Sequence, residues 1–186
     1  RPTSPPPPPG ADGPATASSR YLQWVRAQEV PRGWTDTVSR TDTPCEQVVA
    51  GPEVEVAPSA RVFGSLRLAD GVYLAQGLVV RTLDEAVAIG AGSAVLENGT
   101  VVGRRDMPVT IGRRTVFGHR CTIVGAEVGD LCEVGNGATL LPGSRIGDRV
   151  MLGEGTLVPP GAYLPDDTVW VGRPARRLRA LGDAPD

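Results

Sequence analysis

Aliphatic side chains recur at every sixth residue through most of this chain. They stand at Val56, Val62, Leu68, Leu74 and Val80, and resume after a nine-residue step at Ile89, Val95 and Val101. The frame restarts at Ile111, Phe117 and Ile123. It then takes one five-residue step to Val128 and runs on through Val134, Leu140, Ile146, Leu152, Val158, Leu164 and Trp170. Residues 103–107 (GRRDM) read as a loop that leaves the coil. Small residues follow the inside position by one, as at Gly112 and Gly147, or by four, as at Thr115 and Ala138. A triangular prism explains all of this: three six-residue steps close one turn, one side chain per step fills the axis, and tight corners demand small residues or positive φ. A β-sandwich would instead alternate with period two and carry hairpin turns. The expected fold is all-β, a left-handed parallel β-helix over residues 54–171.

The flanks read differently. Residues 1–53 are expected to form an extended N-terminal arm. Five consecutive prolines at 5–9 favour polyproline II, and a short helix at 19–31 would present Tyr21, Leu22, Trp24 and Val25 on its apolar face. Residues 172–186 are expected to form a short C-terminal helix and tail. Pro174 would sit in its first turn, Leu178 and Leu181 would face the prism, and Arg176, Arg177 and Arg179 would point outward.

Composition narrows the function classes. Among 186 residues there are 24 Gly and 18 Pro but only 4% aromatics, which suits a solenoid better than a compact helical core. The 19 basic and 21 acidic residues give a net charge of −2, so neither nucleic acid nor an anionic membrane is an expected partner. No run of 18 apolar residues occurs, so no direct membrane span is expected. Cys45, Cys121 and Cys132 are too few and too scattered for a disulfide framework or a thiolate zinc site, and a reducing compartment is expected. The chain begins at Arg1 without a methionine, as a processed form or an expressed fragment would.

The irregular steps carry a resemblance. From Val56 to about Leu181 the chain resembles the γ-class carbonic anhydrase family, most closely its members in mitochondrial respiratory complex I. VAPSARVFGS (56–65) is similar to the family's first coil. Arg81 falls at the family's L-R-G-D corner, before the same nine-residue step. VLEN (95–98) sits on I-Q-D-N, and TIGRRTVFGHRCTIVGAEVGD (110–130) follows the family pattern including its six-then-five spacing. GNGATLLPG (135–143) parallels G-M-G-A-T-L-L-D-G, and VWVGRPARRLRAL (169–181) resembles the W-x-G-x-P-A-R-x-L-R-x-L ending of the complex I members.

The resemblance implies a zinc ion on three neutral imidazoles with a fourth position for water. The first family histidine aligns with Val102, the second with His119 and the third with Val124. His119 is the only histidine in the chain, and valine offers no lone pair. Around it, Leu83 replaces the corner Asp, Ala94 and Leu96 replace an Asn and a Gln, and Glu97 replaces an Asp beside the retained Asn98. The chain alone is therefore expected to hold no zinc and to hydrate no carbon dioxide. His119 has two readings: an exposed or interface polar residue, or a ligand given to a zinc site on a neighbouring subunit, as the family's trimer implies for this position. Arg81 likewise reads as a trimer-interface residue or a solvated arginine. Arg104, Arg105, Arg113 and Arg114 are expected at exposed corners, and Cys121 and Cys132 as small residues of the prism wall.

The function these readings imply is a non-catalytic subunit in a trimer with other γ-carbonic-anhydrase-like subunits, homomeric or mixed. Its partners would be membrane-arm and matrix-side subunits of complex I, on the matrix side of the mitochondrial inner membrane. It would have no cofactor of its own, with zinc at most shared between subunits. The alternatives are a hexapeptide acyltransferase using acetyl-CoA, an active γ-carbonic anhydrase, and a scaffold of another assembly such as the dynactin pointed-end prism proteins.

Overall fold

A computed structural model describes residues 48–82 and 87–183. The Pro-rich segment, the helix expected at 19–31, Cys45 and Leu83 lie outside the described residues.

Each turn of the chain contributes one short strand to each of three parallel sheets. The first sheet has seven strands, from Val48–Ala50 to Tyr163–Leu164. The second begins at Glu55–Val56 and continues to Thr168–Val171, and the third runs in six strands from Arg61–Phe63 to Leu157–Val158. This is the parallel β-helix that the six-residue frame requires. Among the described residues pairing is already present at Val48, ahead of the expected start at 54.

Sixteen of the nineteen framed positions are buried. The other three lie near the ends: Val56 is exposed, and Val62 and Trp170 are half-buried. The core holds more than the frame predicts. A second inward set, including Leu66, Val72, Leu78, Val87, Val109 and Val150, is also fully buried. Most six-residue steps therefore carry a second inward side chain two residues before the framed one. Further along the same corner columns the second residue shrinks to Ser93, Thr115, Cys121 or Ala138, all buried. Ser93 Oγ donates to Gly112 O at 2.7 Å and Thr115 Oγ1 to Gly129 O at 2.8 Å, whereas the equally buried Ser144 Oγ finds no partner. Cys121 and Cys132 donate to Gly135 O and Gly147 O. Burial pushes both thiols up from their ordinary pKa.

Two irregularities shift the register without breaking it. Residues 83–86, outside the described residues, separate Thr82 from the strand Val87–Ile89, yet Leu68 still pairs with Ile89. At 104–107 the chain makes a tight excursion in which Arg104 and Met107 exchange backbone hydrogen bonds of 3.0 and 2.9 Å. Close stacking of corners explains one glycine in particular: a Cβ on Gly112 would lie 2.6 Å from the Gly129 carbonyl oxygen.

The C-terminal helix expected from Pro174 does not form. Arg176–Ala180 is a strand, antiparallel to Thr168–Val171. Leu178, expected to face the prism, is 60% exposed. The last coil would otherwise end in a row of unpaired N–H and C=O groups, and a strand satisfies them where a helix cannot. Ala175 N–H adds a 2.7 Å bond to Leu157 O. A segment this short has little helical stability of its own to set against that pairing. Among the described residues there is no helix, hence none able to cross a membrane.

Candidate functional site

Strand pairing in the third sheet assembles one outward column from residues far apart in sequence. Phe63 is the register partner of Arg81, Arg81 of Val102, and Val102 of Val124. The Arg81 guanidinium lies over the Phe63 ring, 5.2 Å from its centroid. Side chains alternate along a strand, so Val101 and Ile123 point into the core while Val102 and Val124 point out and are half-buried. Three of the four singled-out residues thus share one face.

His119 stands elsewhere, at the corner between the second and third sheets, just beyond the strand Val116–Phe117. Val95 pairs with Phe117, so Glu97 occupies the same corner one coil earlier. His119 Nδ1 lies 2.9 Å from Glu97 Oε2. The corner continues as a hydrogen-bonded ladder: His119 N–H donates to Asn136 Oδ1 at 2.8 Å, and Asn136 Nδ2 to Glu154 Oε1 at 3.0 Å. Phe117, fully buried two residues before His119, anchors this corner to the core. Beside it the outer surface of the second sheet carries a groove of about 340 Å³, with Val116 and Met151 lining it together with Glu133, Asn136 and Glu154.

The expected arginine corners are exposed. Arg104 pairs with Asp106 at 3.2 Å, and Arg113 with Asp130 at 3.0 Å. The Arg113 backbone N–H, and then its guanidinium, hold the Asp130 carboxyl below the usual carboxylate range. Arg149 grips Asp167 at 2.6 and 2.8 Å, with the same effect on Asp167.

A catalytic zinc on this chain alone does not fit these residues. Two of the three ligand positions implied by the resemblance are aliphatic, and no cluster of three His, Cys, Asp or Glu among the described residues has metal-binding geometry. The Glu97 partnership was not read from the sequence. The signal existed, because the coil between Val95 and Phe117 is 22 residues long and 97 and 119 share that spacing.

Coil after coil of one six-residue step places the chain among the hexapeptide-repeat proteins. The family model "Hexapeptide repeat of succinyl-transferase" matches residues 108–142. Protein YrdA of Escherichia coli K12 is 35% identical over 140 residues, covering 72% of this chain and 76% of YrdA. Gamma carbonic anhydrases 1 and 3, mitochondrial, of Arabidopsis thaliana are 34% and 39% identical over 141 and 132 residues. Those matches cover 73% and 68% of this chain and 51% of each relative, so the chain spans about half the length of these curated relatives. The chain belongs to the γ-carbonic-anhydrase-like family of hexapeptide-repeat proteins. Among solved structures, a hexapeptide transferase family protein of Anaplasma phagocytophilum superposes with a TM-score of 0.56 at 25% identity, covering 72% of this chain and 78% of its own. The N-acyltransferase AntD of Bacillus cereus, at 0.54 and 14%, shares the fold.

Proposed function

We propose that this chain is a non-catalytic γ-carbonic-anhydrase-like structural subunit, one member of a trimer, homomeric or mixed, on the matrix side of the mitochondrial inner membrane and attached to complex I. The observation that carries the reading is the pairing of Val102 with Val124. Two valines stand as neighbours on one outward face, at the positions where the family resemblance puts two metal-binding imidazoles. The chain keeps the coil spacing and lacks the lone pairs. The word mitochondrial in the relatives' names supports the location.

The outer surface of the third sheet supports association. Val79, Val102, Val124, Leu141 and Leu157 are half-buried there, interleaved with Thr100, Thr122 and Thr139. The first sheet instead turns Arg67, Glu127 and Arg145 to solvent. This face, charged only at Arg61 and Arg81 on its first two strands, suits a neighbouring protomer along its later coils. In such a trimer His119 is a ligand given to a zinc site on the adjacent subunit, which supplies the remaining imidazoles. The 1–53 arm would lie along neighbours in the larger assembly.

Native purification tests the reading. The account expects the chain to co-purify with other prism subunits and with respiratory-chain proteins from inner-membrane fractions. A free homotrimer that hydrates carbon dioxide would refute it. A second reading, acyl transfer from acetyl-CoA, draws on the succinyl-transferase repeat model and the Anaplasma neighbour. Acetyl-CoA binding by the isolated chain would favour it.

A further inference from the structure

We propose that the C-terminal end of the prism docks on an anionic lipid bilayer through the strand Arg176–Ala180. The proposal rests on the membrane location proposed above and names the surface that meets the bilayer.

Charge is spread unevenly along the chain. The net charge is −2, yet residues 173–183 carry four arginines against one aspartate. Their strand is the last of the second sheet, so this positive charge collects at one end of the prism. Two of the arginines serve the fold: Arg173 Nη1 donates to Gly155 O at 3.0 Å, and Arg179 Nη1 to Asp183 O at 2.7 Å. Arg176 and Arg177 are exposed, and among the described residues their guanidinium groups have no hydrogen-bond or ion-pair partner. Apolar side chains stand with them. Pairing steps from Val169 with Arg179 to Trp170 with Arg177, which leaves Leu178 as the extra residue of a bulge. Leu178 is 60% exposed, and Val171, the register partner of Arg176, is 36% exposed.

Free guanidinium groups interleaved with protruding aliphatics match a headgroup layer, where phosphates lie above acyl chains. A peptide adding a strand to this edge fits it less well. The bulge breaks the ladder, and both edge groups of Ala180 are already engaged. Its N–H is held by Asp183 Oδ2 at 3.0 Å and its carbonyl by Arg179 Nη1 at 3.1 Å. In a homomeric trimer, rotational symmetry turns all three C-terminal ends to one side, so weak contacts act together.

Co-sedimentation of the full chain with vesicles tests the proposal. The vesicles are equal parts phosphatidylglycerol and phosphatidylcholine, compared with phosphatidylcholine alone. The chain should sediment with the anionic vesicles only and be released as salt rises. Arg176→Gln with Arg177→Gln should weaken binding about 30-fold, roughly fivefold for each arginine. Leu178→Ser should weaken it as well, whereas Arg104→Gln, at a corner elsewhere, should not, and circular dichroism confirms that each variant folds. No binding to anionic vesicles, equal binding to both kinds, or binding indifferent to the double substitution overturns the proposal. Retention on a polyglutamate resin without vesicle binding would overturn it in favour of an acidic protein partner. Vesicle binding through Arg176 and Arg177 in a chain that never co-purifies with respiratory-chain proteins would refute the complex I assignment and leave the bilayer contact standing.

Discussion

Phe117→Ala tests whether the prism core holds the corner that presents His119. Phe117 is completely buried, and its register neighbours above and below are Val95 and Val134. Removing the phenyl ring forfeits about 1.5–3 kcal/mol of transfer free energy. Relaxation into the void is limited on two counts. The neighbouring side chains are short valines, and the coil backbones are fixed by Leu96 N–H to Phe117 O at 3.0 Å and Gly118 N–H to Val134 O at 2.8 Å. A cavity cost therefore adds to the transfer term, for a total of about 3–5 kcal/mol. For a chain of this size that lowers Tm by roughly 6–20 °C. Urea unfolding followed by circular dichroism measures the loss directly. A destabilisation under about 1 kcal/mol, with an unchanged m-value, would show that Phe117 does not fill the axis.

Other consequences are independent of the metal. Leu131 is 47% exposed at φ 58°, a conformation that costs a branched side chain about 1 kcal/mol, so Leu131→Gly should raise the urea midpoint despite the added chain entropy. The Asp167 carboxyl is held low by Arg149. Its contribution is complete above the ordinary carboxylate pKa and is lost as pH falls through the lower folded-state value. Wild-type stability should thus fall toward that of Asp167→Asn as pH drops below the ordinary carboxylate range, and a gap that widens on acidification would contradict the assignment. In a Cys45→Ser background, iodoacetamide should label neither Cys121 nor Cys132 until urea unfolds the chain, because both thiols are buried and pushed up.

Much of the fold was legible because the six-residue frame states the coil directly. The inside positions from Leu68 to Leu164, and both odd steps, follow from aliphatic spacing alone. The second inward set was missed because Val72 and Leu78 share corner columns with Ser93 and Cys121, so the apolar signal breaks along those columns and only Leu66, Val87 and Val109 stack as aliphatics. The C-terminal segment was misread because Pro174 and the i, i+3 leucines are local helix signals. The decisive fact, an unpaired edge on the final coil at Thr168–Val171, is tertiary. At the candidate site, the identities of Val102, Val124 and His119 were visible, and register then showed that the two valines are neighbours. The link from Glu97 to His119 spans one irregular 22-residue coil, a length that the regular 18-residue spacing of the later coils does not suggest.

On the proposed function, this prism keeps the family's architecture without holding a zinc ion of its own. Zinc content of the isolated chain, loaded with excess metal and then desalted, tests it most directly. No zinc should be retained at neutral pH, since a single imidazole is left to bind it. One zinc retained per chain would contradict the account.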